Sequence, residues 1–390
     1  MPLQDLVQRI QEGLFERNSL AQAFFEREAP RLAGVCRQMS ERFLAGGRLL
    51  AFGREVYATD AQHVSVEFVH PVIVGKRALS ALDVSIAFTP WLQALLRPED
   101  MVMGFGPPEG DGQIQAALDW ATERGALTFA LPGSRAAHAI KAPSSHPFIH
   151  QEIIEILYHT LWETVHVFFE HRESGYELGE TAFLYPFLSG EKQDTQAVVV
   201  EVASSIQMKV AEDAALRLEV AQTQAETIAE AVYAIAQRLQ RGGKLIAFGN
   251  GGSATDANDL ALDCVAPPLG WKPIPAVSLA LEPANLSAIA NDVGSEVMFL
   301  RQLIAQARPE DVALGISTSG SSKNVLLCLQ EARKRGMLTL ALLGYDGGEV
   351  VRQKLADIAI VVRSDYIPRI QEVQASVYHL IREHLEGVWR

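Results

Sequence analysis

Short apolar runs alternate with amphipathic segments along the whole chain. Two amphipathic segments, LAGVCRQMSERFLAGG (32–47) and IAEAVYAIAQRLQRGG (228–243), end in Gly-Gly pairs, and the apolar runs RLLAFG and KLIAFG follow them. A glycine pair after an amphipathic stretch is typical of a helix end, and a short apolar run between helices is typical of a buried parallel strand. The pattern therefore predicts an α/β protein with a doubly wound parallel sheet and flanking helices in each half.

An internal repeat accounts for the similarity of the two halves. Three motif pairs align in the same order: AFGREVYATDAQHVSVEF (51–68) with AFGNGGSATDANDLALDC (247–264), RPEDMVMGFG (97–106) with RPEDVALGIS (308–317), and HQEIIEILYH (150–159) with IQEVQASVYH (370–379). A repeat of this size indicates two copies of one domain. We therefore predict tandem domains at residues 1–190 and 191–390, with the boundary where PFLSGEKQDTQ interrupts the pattern.

Composition limits the class of protein. The 390 residues are 48% hydrophobic and 21% charged, which is typical of a soluble globular protein with ample cores. The net charge of −13 and the lack of a long basic block argue against nucleic acid as a partner. No apolar run is long enough for a membrane span, and the acidic start of the chain lacks a signal-peptide core, so we expect a cytoplasmic protein. The three cysteines are far apart, which favours buried reduced thiols.

Two loops rich in glycine and serine mark the second half. GNGGSATD (249–256) and STSGSSKN (317–324) each follow a predicted strand and precede a predicted helix. Glycines expose backbone N–H groups, and a helix start attracts anions. Two such loops at the carboxyl ends of one sheet predict a phosphate-sized site, with these binding residues: Asn250, Gly251, Gly252, Ser253, Ser317, Thr318, Ser319 and Ser322.

The second half resembles a known family. GNGGSATDAN, AIANDVGSEVMFLRQ (288–302), STSGSSKNV and the tail motif RIQEV with a later His are together similar to bacterial phosphoheptose isomerases of the sugar isomerase (SIS) domain superfamily. The likeness covers nearly all of 215–390, whereas the first half resembles the family only through DAQHVSVEF, its helices and QEIIEILYH. The resemblance implies flavodoxin-like domains that interconvert sedoheptulose 7-phosphate and an aldoheptose 7-phosphate. It also suggests that Asn291 and Asp292 contact sugar hydroxyls.

The resemblance further implies a divalent metal, zinc or a similar ion, and acid–base residues. The family's His, Glu, Gln and His positions are all matched in the first half, by His63, Glu67, Gln151 and His159. The second half has Asp259, Asp263, Gln371 and His379 there. His63 and Glu67 are four residues apart and so share a helix face. The alternative is that these side chains are inherited polar groups without a metal. Asp259 and Asp263 either bind a harder cation, such as magnesium or calcium, or mark a lost site or a solvated face.

The first half has lost the loops that the second half keeps. GREVYATD (53–60) replaces GNGGSATD, and GPPEGDG (106–112) replaces the Ser/Thr loop. Prolines remove N–H donors, and Glu55, Glu109 and Asp111 would repel a phosphate. We therefore expect one composite site per chain, with the phosphate loops from the second half and the proton-transfer groups from the first. If the second half acts alone, Asp263 and His379 take those roles.

These patterns predict an aldose–ketose isomerase for a phosphorylated sugar. Glu67 and His159, or Asp263 and His379, would move the proton between C1 and C2 through an enediol(ate). The alternative function is a non-catalytic SIS protein that senses a sugar phosphate or serves as a scaffold. The expected partners are a sugar phosphate and a second copy of the chain, as a homodimer of two-domain chains, with no nucleic acid and no membrane.

Overall fold

The computed structural model describes residues 1–72, 76–173 and 195–389. They divide into two units, which we call the amino-terminal lobe (Ser19–Glu212) and the carboxy-terminal lobe (Met1–Asn18 with Asp213–Arg390). Two long helices contain the points where one unit passes into the other. The predicted domain boundary between residues 190 and 191 lies outside the described residues.

The amino-terminal lobe contains a parallel sheet with helices around it. Its elements, with the two shared helices, are α1 (Leu3–Leu44), β1 (Leu49–Gly53), α2 (Ala58–Val69), β2 (Ala81–Asp83), α3 (Phe88–Leu95), β3 (Met101–Phe105), α4 (Gly112–Thr122), β4 (Leu127–Leu131), β5 (His138–Ala139), α5 (Pro147–Glu173) and α6 (Thr195–Thr223). The strand order is β2-β1-β3-β4-β5, and each pair is parallel.

The carboxy-terminal lobe repeats this arrangement. Its further elements are α7 (Ala225–Gln240), β6 (Leu245–Gly249), α8 (Gly252–Val265), β7 (Ala276–Ser278), α9 (Pro283–Asp292), α10 (Met298–Gln306), β8 (Val312–Ser317), α11 (Lys323–Lys334), β9 (Leu338–Gly344), α12 (Gly348–Arg352), β10 (Ile358–Val362) and α13 (Ile367–Val388). The order is β7-β6-β8-β9-β10, again with parallel pairs.

Both sheets therefore have the flavodoxin-like order 2-1-3-4-5, and the predicted fold class is confirmed. The central strands β1, β3 and β4 are buried along their whole length, as are β6, β8 and β9. Burial on both faces explains why these strands read as unbroken apolar runs in the sequence. In each sheet the strand order reverses between the first and third strands, and ligands of doubly wound sheets bind at that point.

The Gly-Gly pairs end helices α1 and α7 as the sequence predicts. Gly46 and Gly242 have φ values of 86° and 83°, which favour glycine. The second glycine of each pair faces a carbonyl oxygen, because a Cβ on Gly47 would lie 2.2 Å from the Glu99 oxygen. A Cβ on Gly243 would lie 2.2 Å from the Glu310 oxygen. The repeat thus preserves the close approach of two loops in both lobes.

Two further features concern the cysteines and the helices. Cys36, Cys264 and Cys328 are buried and free, which confirms the predicted thiols, and burial raises the pKa of Cys36 and of Cys264 to about 12. In the described parts of the chain, every helix is too short or too polar to cross a membrane.

Candidate functional site

The two glycine/serine loops of the carboxy-terminal lobe lie side by side at the carboxyl edge of the sheet. One loop joins β6 to α8 and the other joins β8 to α11, and β6 pairs directly with β8. Asn250 Nδ2 donates to Asn324 Oδ1, and Asn324 Nδ2 donates to Asn250 Oδ1, each over 2.9 Å. This reciprocal amide pair fixes the first loop against the start of α11, at the point where the strand order reverses.

Glycine is required where these loops approach each other. A Cβ on Gly249 would lie 2.4 Å from the Ser253 oxygen and 2.8 Å from the Ile316 oxygen. Gly251 has φ 58° and ψ −126°, a conformation that side chains oppose, and it is the residue before α8. The packing of these loops therefore by itself accounts for the glycines at positions 249 and 251.

The loops offer the donors that an anion needs. Helices α8 and α11 both begin at the carboxyl edge of the sheet, and the exposed N–H groups of a helix start favour negative charge. Ser253 and Ser317 are buried, Thr318 and Ser322 are half-buried, and Asn250, Gly251 and Ser319 are exposed. The hydroxyl of Ser317 accepts a hydrogen bond of 3.1 Å from the Gly320 N–H. The predicted phosphate residues of the two loops thus occupy one edge of one sheet.

Asn291 and Asp292 end helix α9. Both are exposed, and Asn291 Nδ2 donates to Asp292 Oδ1 over 2.8 Å. Their contact with sugar hydroxyls stays a prediction.

A buried acid–base cluster lies between α8 and α13 of the same lobe. His379 Nε2 is 3.2 Å from Asp259 Oδ2 and 3.1 Å from Asp263 Oδ2. The hydroxyl of Tyr378 donates to Asp259 Oδ2 over 2.9 Å. All four side chains are at least nine-tenths buried. Two carboxylates and one imidazole therefore share a dry site in which ligand atoms of Asp259, Asp263 and His379 lie within 4.8 Å of one another.

Burial makes Asp263 a weaker acid than an exposed aspartate. Loss of water, followed by the negative charge of Asp259, raises the pKa of Asp263 to about 7, although the hydrogen bond and charge of His379 and the charge of Arg382 act in the opposite direction. The nearby negative charge therefore favours the protonated form of Asp263. A group that titrates near neutral pH is suited to proton transfer.

The amino-terminal lobe has a corresponding cluster between α2 and α5. His63 Nε2 is 3.3 Å from His159 Nε2 and 3.8 Å from Glu67 Oε1. Gln151 Nε2 donates to the Thr59 hydroxyl over 3.3 Å, one turn before His63 on α2. All four residues of the predicted metal set are therefore buried on two packed helices.

Glu155 belongs to this cluster and was missed by sequence reasoning. Ligand atoms of His63, Glu155 and His159 lie within 4.8 Å of one another. Gln151, Glu155 and His159 are four residues apart in turn, so they share one face of α5. This i, i+4, i+8 spacing was visible in the sequence, but the aligned residue of the second copy is Ala375, so the repeat gave no signal.

The donors of both clusters fit a divalent cation, though of different kinds. Two imidazoles and a carboxylate, as in His63, Glu155 and His159, suit zinc. Two carboxylates and one imidazole, as in Asp259, Asp263 and His379, suit a harder ion. The same side chains can also act in proton transfer without a metal, since imidazole and carboxylate groups exchange protons with each other.

The corresponding loops of the amino-terminal lobe carry charged side chains. Arg54, which aligns with Asn250, forms an ion pair of 2.6 Å with Asp111, the residue before α4. The Ser85 hydroxyl accepts a hydrogen bond of 3.1 Å from the Gly53 N–H. Glu55 follows in the same loop and is exposed. These contacts agree with the expectation that this lobe lacks a phosphate loop.

Known proteins resemble the chain in sequence. The family model for the SIS domain matches residues 210–344. The phosphoheptose isomerase of Helicobacter pylori (strain P12) is 42% identical over 162 residues, which are 41% of this chain and 83% of the relative. The phosphoheptose isomerase of Solidesulfovibrio magneticus is 43% identical over 173 residues, which are 44% of this chain and 83% of the relative. The match lies in the carboxy-terminal part of the chain.

Solved structures extend the likeness to the whole fold. The C-terminal domain of glucosamine-fructose-6-phosphate aminotransferase from Francisella tularensis matches with a TM-score of 0.59 at 9% identity, covering 97% of this chain and 96% of that chain. A putative tagatose-6-phosphate ketose/aldose isomerase from Clostridium novyi matches with a TM-score of 0.58 at 10% identity, covering 99% and 92%. From the aligned sequences and the two sheets, we conclude that the chain belongs to the SIS domain family and is related to the phosphoheptose isomerases.

Proposed function

We propose that this protein is an aldose–ketose isomerase that acts on a phosphorylated sugar of the sedoheptulose 7-phosphate type. The observation that carries the proposal is the pair of loops joined by Asn250 and Asn324 at the point where the strand order reverses. Relatives that are about as long as this lobe, and 42–43% identical to it, are phosphoheptose isomerases.

The phosphate would bind first, to the starts of α8 and α11. Backbone N–H groups of Gly251, Gly252 and Ser253 would donate to it, together with the hydroxyls of Ser317, Thr318, Ser319 and Ser322. The carboxy-terminal lobe has no need of a basic side chain for this, because the helix starts supply the positive potential. Binding the distant phosphate orients the sugar and lowers the entropic cost of the proton transfer.

The chemical step is the movement of a proton between C1 and C2. A carboxylate base removes the proton from the carbon next to the carbonyl, the enediol(ate) forms, and the proton returns to the neighbouring carbon. Asp263 is one candidate for the base, because its pKa of about 7 lets it both accept and release a proton at neutral pH. His379, at 3.1 Å from Asp263, would carry the proton between the two oxygens of the substrate.

Glu67 and His159 are the other candidates. They lie with His63 in the buried cluster of the amino-terminal lobe. The composite arrangement that we expect from the sequence would use them in place of Asp263 and His379, and it stays a prediction.

The resemblance implies zinc, and the donor set supports it. His63, Glu155 and His159, with Glu67 and Gln151 beside them, would hold the ion. When bound, a divalent metal polarises a carbonyl and stabilises negative charge on oxygen. The protein's own contribution is to keep both imidazoles and the carboxylates close together and away from water.

Deuterium exchange tests the proposal directly. Sedoheptulose 7-phosphate is incubated with the protein in D₂O, and deuterium uptake at C1 of the ketose and at C2 of the aldose is followed by NMR. The wild-type protein is expected to introduce deuterium at both carbons and to form the aldose. Asp263→Asn and Glu67→Gln are then compared, with the exposed Asp346→Asn as the matched control. If deuterium exchange is lost in Asp263→Asn alone, the base belongs to the carboxy-terminal lobe. If exchange is lost in Glu67→Gln alone, the composite arrangement is supported.

One observation favours a second function, the binding of a sugar phosphate without turnover. Asp259 and Asp263 stand where the family has His and Glu, and His379 contacts both of them. The Asp in place of Glu at position 263 shifts the carboxylate by about one methylene, which can misplace a proton transfer. Binding of sedoheptulose 7-phosphate without any exchange would favour this alternative, and a lack of binding would refute both functions.

A further inference from the structure

The amino-terminal lobe contains a cleft that the proposed reaction does not use. A cavity of about 450 Å³ lies at the carboxyl edge of its sheet, among the loop after β1, the end of β2, α3 and the start of α4. A second cavity of about 330 Å³ lies between α3 and α4 and shares Thr89 and Gln113 with the first. The two cavities adjoin at these residues, and we call them together the cleft. The first lies at the point where the strand order of this sheet reverses, which is the usual ligand position in such folds.

A carboxylate is fixed at the polar end of the cleft. Asp83 is the last residue of β2, and its Oδ1 accepts hydrogen bonds from the N–H of Ser85, over 2.9 Å, and from the Ser85 hydroxyl. That hydroxyl in turn accepts from the Gly53 N–H at the end of β1. Burial raises the pKa of Asp83 above its usual range, against the effect of the Ser85 hydrogen bonds. The side chain is therefore held in place from both strands, and it lines the cavity.

The charges around the cleft disfavour a phosphate. Glu55 and Asp83 both line the cavity, and the guanidinium of Arg54 is engaged by Asp111 at 2.6 Å. The Gly53 N–H is already bonded to Ser85. A neutral ligand with hydroxyl groups suits these acceptors better, because carboxylates accept hydrogen bonds from hydroxyls without a charge penalty.

The other end of the cleft is apolar. Leu92 of α3 and Ala117 and Trp120 of α4 line it, and the guanidinium of Arg124 covers the Trp120 ring at 3.8 Å from the centroid. The cation–π contact with the arginine holds the indole in place, and the indole lines the cavity. A flat apolar group can pack against such a surface.

We propose that this cleft binds an unphosphorylated ribonucleoside, with the ribose hydroxyls on Asp83 and the base in the apolar part beside Trp120. In doubly wound sheets that bind dinucleotides, an Asp or Glu downstream of the first strand and its loop accepts a hydrogen bond from the ribose 2′-hydroxyl. Asp83 likewise follows β1 and its loop, and it ends the strand that pairs with β1. The site uses residues of the amino-terminal lobe alone, and it does not depend on the isomerase activity proposed above.

Calorimetric titration of the full chain with adenosine tests this site. Adenosine is expected to bind with a Kd below about 1 mM, and 2′-deoxyadenosine at least about tenfold more weakly, because one hydroxyl that Asp83 accepts from is missing. Adenosine 5′-monophosphate is expected to bind no more tightly than adenosine. The proposal is overturned if adenosine does not bind, if the deoxynucleoside binds equally well, or if the monophosphate binds tenfold more tightly.

Two variants locate the binding. Asp83→Asn keeps the oxygen that Ser85 contacts, so the local fold is retained while the charge is lost, and adenosine affinity should fall at least tenfold. Ala116→Trp places a large ring in the apolar cavity from an exposed position, and it should have the same effect. Asp357→Asn is the matched control, because Asp357 likewise accepts from the N–H and hydroxyl of one residue, Thr339. Wild-type affinity in Asp83→Asn and Ala116→Trp would overturn the assignment.

Discussion

Glu55 and Gly251 occupy aligned positions of the repeat and have nearly the same backbone φ, 55° and 58°. In the carboxy-terminal lobe this residue precedes helix α8, and glycine adopts the conformation without cost. In the amino-terminal lobe a glutamate is forced into a region of φ that L side chains rarely adopt. The two aligned residues therefore share a positive φ, although one is a glycine and the other a glutamate that lines the cleft.

Glu55→Gly should stabilise the protein. Relief of the positive φ is expected to raise the free energy of unfolding by about 1 kcal/mol, partly offset by the greater freedom of glycine in the unfolded chain. The control is Glu123→Gly, because Glu123 has a φ of −58° and gains no such relief. Urea unfolding of both variants measures the difference. An equal loss of stability in the two would show that Glu55 is not strained.

Asn250→Ala should weaken sugar-phosphate binding without unfolding the lobe. The variant removes both hydrogen bonds to Asn324, so the loop after β6 loses its attachment to the start of α11. We expect an affinity for sedoheptulose 7-phosphate about tenfold lower, equivalent to about 1.4 kcal/mol. Gln330→Ala is the control, because Gln330 lies on α11 and its amide bonds to Gln353. Calorimetry supplies both affinities. Unchanged affinity in Asn250→Ala would argue against the phosphate site.

Asp263→Asn should change how stability depends on pH. The pKa of Asp263 is raised in the folded protein, from 3.8 to about 7, so the unfolded chain releases this proton first. The stability that the protonated group contributes is complete below pH 3.8 and is lost as the pH rises to about 7. The amide cannot ionise, so at pH 8 the variant should be more stable than the wild type, by an amount on the order of 1 kcal/mol or more.

Thermal unfolding at pH 5 and pH 8 measures this effect. The stability of the wild type should fall more steeply between the two values than that of Asp263→Asn. The stability of the variant should still depend on pH to some extent, because burial also raises the pKa of Asp213, to about 6. Parallel profiles for the two proteins would contradict a buried carboxyl that keeps its proton.

His159→Ala and Glu155→Gln should lower the zinc content of the amino-terminal lobe. His159 and Glu155 offer two of the three ligand atoms that lie within 4.8 Å, so either change leaves two. Metal affinity is expected to fall at least tenfold in both variants, measured by competition with a chelator of known affinity. His70→Ala, at the exposed end of α2, is the control. Retention of full metal affinity in Glu155→Gln, with its loss in Glu67→Gln, would favour the ligand set implied by the family resemblance.

Arg217→Met should destabilise the carboxy-terminal lobe strongly. The guanidinium is fully buried, pairs with Asp213 and donates to the Ser376 hydroxyl over 2.8 Å. Removing one partner of a buried ion pair leaves an uncompensated charge, which costs about 3–5 kcal/mol. The variant Asp213→Asn with Arg217→Met should recover part of the loss, and denaturant unfolding of both compares them. If Arg217→Met and the double variant were equally stable, the contributions of Asp213 and Arg217 to stability would not be coupled.

The sequence by itself determined the fold class, the repeat and the position of the two glycine/serine loops. These features depend on local rules: glycine pairs end helices, unbroken apolar runs form strands buried on both faces, and glycines occur where two loops meet. Each rule acts within a few residues, so it can be recognised in a single chain. The alignment of the two copies with the family motif also grouped His63, Glu67, Gln151 and His159 as one candidate set.

The tertiary structure decided which side chains meet. Glu155 joins His63 because α2 and α5 pack face to face, and Asp83 faces a cavity because β2 pairs with β1. The pKa of Asp263 depends on the loss of water around it and on Asp259 one helical turn away. Contacts between distant segments and the removal of water are properties of the packed chain, and no short stretch of sequence encodes them.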